Sequence, residues 1–154
     1  MLKRSNYLLS LTVFLLAFAS ASVANAQESQ IVETITSEQM RSLFHDQGFS
    51  NVEIDSDDDL IVRMQGYGIL VFVRGNNYSN IQYRFSVAGT STTMRDVNDW
   101  NRSKKFTKAY LDNDGDPVLE MDVDLDGGVT WKRIEDSILT YNQSLVAFLR
   151  EVAR

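Results

Sequence analysis

Residues 117–131 read Pro-Val-Leu-Glu-Met-Asp-Val-Asp-Leu-Asp-Gly-Gly-Val-Thr-Trp, and the change of period within this stretch decides the fold. Leu119, Met121, Val123 and Leu125 alternate with Glu120, Asp122, Asp124 and Asp126, the two-residue period of a strand with one core face and one wet face. Gly127-Gly128 ends the alternation and Thr130 stands where a helix cap is wanted. From Trp131 the apolar residues recur at spacings of three and four: Trp131, Ile134, Ile138, Tyr141, Leu145, Phe148 and Val152. A half-exposed strand followed by a long one-sided helix predicts α+β architecture, with the helix laid across an antiparallel sheet. A helix of about 22 residues holds barely three heptads, which favours packing on the sheet over a coiled-coil seam.

The same signals continue upstream. Asp112-Asn113-Asp114-Gly115-Asp116-Pro117 is a turn, and a strand over about 105–111 pairs with the acidic strand in a hairpin. Residues 88–93 are a loop that caps a short helix carrying Met94, Val97 and Trp100. Ile81, Tyr83, Phe85 and Val87 alternate with polar residues, whereas Ile69 to Val73 is an unbroken apolar run that predicts a strand covered on both faces. Val52 to Ile54 and Leu60 to Met64 form a hairpin about an acidic turn, and Thr36 with Gln39 has the spacing of a capping box for a helix over 37–47. Residues 27–35 form a polar lead-in, and residues 36–154 make a single domain.

The first 26 residues stand apart. Lys3 and Arg4 precede an apolar run that ends in Val23-Ala24-Asn25-Ala26, the pattern of a secretory signal peptide cleaved after Ala26. The remaining chain has 13 basic residues against 21 acidic ones, so nucleic acid is excluded as a partner on charge, and no later segment is apolar enough for a membrane span. The expected location is periplasmic or secreted. With no cysteine in 154 residues there is no disulfide, thiolate nucleophile or Cys-based zinc site.

Asp122-x-Asp124-x-Asp126-Gly127 matches the first half of a calcium loop, in which alternating carboxylates surround the ion and glycine permits the sharp turn. The twelfth position is Arg133 where a bidentate Glu is required, and Gly115 and Pro117 occupy the place of the entering helix, so the solvated face of a strand accounts for these aspartates. A weak surface calcium site at Asp112, Asp114 and Asp116 is a separate possibility, and no other cofactor is expected. The basic stretch Arg95, Arg102, Lys104, Lys105 and Lys108 is expected to pair across strands with the acids of 112–126. His45 is the only histidine, and no nucleophile elbow or zinc-binding helix occurs.

From Val97 to Val152 the chain resembles a known family. Val97-Asn98-Asp99-Trp100-Asn101, Phe106, Ala109-Tyr110-Leu111, Asp114-Gly115-Asp116, Leu119-Glu120-Met121-Asp122 and Gly127-Gly128-Val129 follow in order at fitting spacings before a closing aromatic helix with Phe148. The sequence is similar to the YbjN family of bacterial proteins, over about residues 36–152. The resemblance implies an α–β–α domain like that of type III secretion chaperones, a label of sensory-transduction regulator and no established catalytic residue. The signal peptide departs from that pattern and sets aside a cytoplasmic signalling or secretion-chaperone role.

The expected function is therefore a non-enzymatic exported protein that binds another polypeptide, chaperone-like or regulatory. Trp100, Tyr110 and Trp131 are candidate contact residues, since amphipathic aromatics anchor interfaces, although core packing is the simpler role for Trp131. A homodimer through the last helix or a sheet edge is a second expected association. Two other functions compete with this one. The first is a calcium-responsive module using Asp112, Asp114, Asp116, Asp122, Asp124 and Asp126, and the second is a hydrolase built on an unmarked carboxylate pair.

Overall fold

The computed structural model describes residues 30–154; the leader expected over residues 1–26 lies outside the described residues. Eight strands and three helices follow in the order β1 (Ile31–Val32), α1 (Ser37–Asp46), β2 (Val52–Ile54), β3 (Leu60–Met64), β4 (Tyr67–Arg74), β5 (Asn80–Ser86), α2 (Met94–Ser103), β6 (Lys108–Leu111), β7 (Pro117–Asp124), β8 (Val129–Thr130) and α3 (Trp131–Glu151). The protein is α+β. β2 to β7 form one antiparallel sheet in the order β2-β3-β4-β5-β7-β6, and β1 pairs with β8 in a separate two-stranded ladder.

Each helix begins where its cap residue stands. Thr36 and Gln39 close the capping box of α1, Thr93 and Asp96 close a second one at α2, and the Thr130 hydroxyl accepts the Arg133 amide at the start of α3. α1 and α3 cover one face of the sheet. Tyr83, in the middle of β5, stacks on Tyr141 of α3 at 5.0 Å between centroids and meets Phe44 of α1 edge-on at 6.4 Å. The Tyr83 hydroxyl shares a 2.8 Å hydrogen bond with Ser137, and the Tyr141 hydroxyl donates to the Leu119 carbonyl at 3.1 Å, so both buried phenols are satisfied. Burial raises both their pKa values.

Three sequence expectations change. The run Ile69–Val73 is not covered on both faces: Ile69, Val71 and Val73 are in the core, but Leu70 is exposed, because among the described residues no element lies over the outer side of β4. The strand expected from about Lys105 begins at Lys108, since Phe106 takes φ +71° and breaks the extended backbone. The segment before Thr36 is more than a polar lead-in. Val32 and Ile35 are buried, and Ile31 and Val32 pair with Thr130 and Val129. Gly128 at φ +87° makes this pairing possible, because a Cβ there would lie 2.4 Å from a methyl of Ile31.

Candidate functional site: the bare face of the sheet

The outer face of the six-stranded sheet carries the side chains that point away from both helices. The register sets Ile61 opposite Leu70, Leu70 opposite Arg84, Arg84 opposite Glu120, and Glu120 opposite Lys108, so one row crosses five strands. Its β3–β4 half is apolar: Ile61 and Leu70 are exposed, and Phe72 lies on the same face with Arg74 stacked over its ring at 5.1 Å. Arg63, Arg74 and Arg84, outward on β3, β4 and β5, surround these three residues.

The β5–β7–β6 half is a closed polar cluster. Glu120 is only 4% exposed; one carboxylate oxygen accepts the Tyr110 hydroxyl at 2.6 Å, the other the Lys108 ammonium at 2.8 Å, and Arg84 lies 3.7 Å from the first. Burial alone would raise the Glu120 pKa, but the bonds from Lys108 and Tyr110 overcome it and hold the carboxyl below its ordinary value. The same contact raises Lys108, and burial followed by the Glu120 charge pushes the Tyr110 phenol up to about 12. The carboxylate is ionised, held on both oxygens and unfit as a general acid near neutral pH.

Tyr110 therefore lies on the bare face, half-buried and bound to Glu120. Trp100 does not: it is 3% exposed, meets Phe148 edge-on at 5.4 Å, and donates its indole N–H to Thr107 at 3.3 Å, so packing on α3 is its role. Trp131 is partly buried against the core at the start of α3. The six aspartates do not form one site. Asp112, Asp114 and Asp116 are at one end of β7 and Asp122, Asp124 and Asp126 at the other, separated by most of an eight-residue strand or roughly 20 Å. Within the turn, Asp112 spends one oxygen on the amides of Asp114 and Asp116, both at 3.0 Å. Among the described residues no group of three or more carboxylate or histidine side chains has metal-binding geometry.

The basic stretch pairs across strands only in part. Lys108 meets Glu120 and Asp122, but Arg102 turns to Asp99 within α2, and Lys104 reaches Glu151 at 2.8 Å on α3. Glu120 was missed as a site residue. Its position in an alternating acidic strand looks solvated, and only the register with Arg84 and Lys108 reveals its burial.

A family model described as "Putative bacterial sensory transduction regulator", YbjN, matches residues 36–154. The chain belongs to the YbjN family. The crystal structure of YbjN from E. coli, described as "a putative transcription regulator", is similar in fold, with a TM-score of 0.52 at 18% identity over 80% of this chain and 86% of that one. No curated protein matches. The YbjN motif residues now have physical roles: Trp100 fills the α2–α3 contact, Asn101 bonds to β6, Tyr110 and Glu120 bind each other, and Gly128 admits β1.

Proposed function

We infer that this protein is a non-enzymatic regulator that acts outside the cytoplasm by holding another polypeptide against the bare face of its sheet. The observation that carries this is the apolar trio Ile61, Leu70 and Phe72, set among Arg63, Arg74 and Arg84 on a face that no helix of the described residues covers. A segment with large apolar side chains and hydrogen-bond acceptors at their edge fits it in burial and in polar pairing. Arg74 pairs with Asp59 at 2.6 Å and Arg84 lies 3.7 Å from Glu120, so the arginines act as hydrogen-bond donors at the rim of the patch and not as a net positive field. Export follows from the leader pattern of residues 3–26. The family description names a regulator, and the Glu120 cluster, closed on itself, offers no free acid and base.

The test is lysine cross-linking of the tagged protein in its native envelope, followed by mass spectrometry, with a Leu70→Asp/Arg84→Glu variant in parallel. One polypeptide enriched by the wild type and lost with the variant is the expected result. Equal recovery by the wild type and the variant, or recovery of nothing, overturns this function. Mass spectrometry of the mature chain checks export, for which the expected N-terminus is Gln27.

A further inference from the structure

We propose that the protein forms a two-fold dimer through the outer face of α3, with a second copy of this chain as the partner. From Ser137 to Leu149 the helix carries no charged residue, although its first turns hold Lys132, Arg133, Glu135 and Asp136 and its last turn holds Arg150 and Glu151. Burial in the sheet core explains Ile138, Tyr141, Leu145 and Phe148. It does not explain the opposite stripe of Leu139, Gln143 and Val146, in which Leu139 is 39% and Val146 44% exposed. A solvated helix face ordinarily carries charge; the centre of an interface is depleted of it.

The charges at the two ends are complementary under a two-fold axis. Asp136 lies seven residues before Gln143 and Arg150 seven residues after it. Antiparallel packing of two α3 helices about Gln143 sets Asp136 of one copy beside Arg150 of the other, twice, and brings Leu139 of each against the Val146–Ala147 step of its mate. A parallel arrangement would instead oppose like charges at both ends.

Beside this stripe stands Phe106, 71% exposed and held at φ +71°, a conformation that costs a bulky residue about 1–2 kcal/mol in isolation. It borders an open groove of about 360 Å³ lined by Trp100, Lys104, Thr140, Ser144 and Ala147. Each copy thus presents one apolar knob and one groove next to the same helix face, the self-complementary pairing that a two-fold contact requires. The dimer leaves both bare sheet faces outward, so it is independent of what they bind.

Sedimentation velocity on the protein as its host produces it, with the N-terminus read by mass spectrometry, tests the proposal from about 1 to 200 µM. The expected result is a mass rising to twice that of the monomer, with association weakened at least about tenfold by Val146→Glu, and with Tm unchanged when compared at a concentration where both proteins are monomeric. Asp136→Arg should weaken it and Asp136→Arg/Arg150→Asp restore it. Phe106→Gly should weaken association while raising the Tm of the monomer, because the backbone strain goes with the ring. A monomer throughout, or a dimer indifferent to both Val146→Glu and Asp136→Arg, overturns the proposal.

Discussion

The side chain of Asn101 holds both backbone groups of Ala109: its amide nitrogen donates to the Ala109 carbonyl and its oxygen accepts the Ala109 N–H, each at 2.8 Å. β6 is an edge strand, and these are the groups that would otherwise face outward and template another chain. One carboxamide on α2 thus stands in for a seventh strand. Trp100, the preceding residue, anchors the same helix on Phe148, so neighbouring motif residues fix α2 and seal the sheet.

Asn101→Ala should cost about 2 kcal/mol, the loss of two hydrogen bonds, and should promote aggregation through the β6 edge it unseals. Asn101→Asp should cost more, since it turns a carboxylate toward the Ala109 carbonyl. Urea denaturation gives the stabilities, and light scattering near the unfolding midpoint gives the aggregation.

The Glu120 cluster sets a pH dependence. Its carboxyl pKa is lowered by folding, so its contribution is present above the unfolded value of about 4.3 and is lost as pH falls through the folded value. Glu120→Gln should cost about 2 kcal/mol at pH 7, with the gap to the wild type closing on acidification below pH 4. Tyr110 is raised, so its contribution is complete below the unfolded value of about 10 and is lost as pH rises through about 12. Tyr110→Phe should make the alkaline fall shallower, with the shares of the buried Tyr83 and Tyr141 remaining. Thermal melts across pH check both, and a Glu120→Gln gap that stays constant from pH 7 to 3 would sink the assignment.

Gly128→Ala combines two penalties: φ +87° and a Cβ 2.4 Å from the Ile31 methyl. Together they should cost about 2–4 kcal/mol. Ile31→Ala/Gly128→Ala should recover the steric share and leave the backbone share, a non-additivity that a double-mutant cycle measures directly.

Calcium at about 5 mM should leave Tm within about 1 °C of its metal-free value, because a ligand stabilises only by binding the native state and the two aspartate triads do not converge. A rise of several degrees that Asp112→Asn abolishes would place a cation in the β6–β7 turn.

Elements whose signals are local were legible in the sequence. Thr36 with Gln39, Thr130, the alternation of β5 and β7 and the period of α3 each act within a turn or a strand, and each stands where expected. What escaped depends on who lies opposite. Nothing within Ile69–Val73 says that its outer face stays bare, nothing beside Glu120 announces Arg84 and Lys108, and no neighbour of Phe106 betrays a left-handed backbone that glycine would ordinarily signal. Trp100 was ambiguous for the same reason, because a tryptophan at a helical spacing serves a core and an interface equally until its neighbour, Phe148, is known.

The short ladder between Ile31–Val32 and Val129–Thr130 ties the beginning of the described chain to its last helix, and the amide of Trp131 adds a bond to the Gln30 carbonyl at 3.3 Å. For a polypeptide threaded N-terminus first, whether from a ribosome or through a translocation pore, this contact joins residues a hundred positions apart and must wait for nearly the whole length to emerge. Ile31 and Val32 then spend the transit unpaired, and the clasp shuts only after Thr130 has emerged. A nascent chain stopped before Val129 should accordingly remain easily cut by protease near its start, and release of the final helix should confer resistance in a single step.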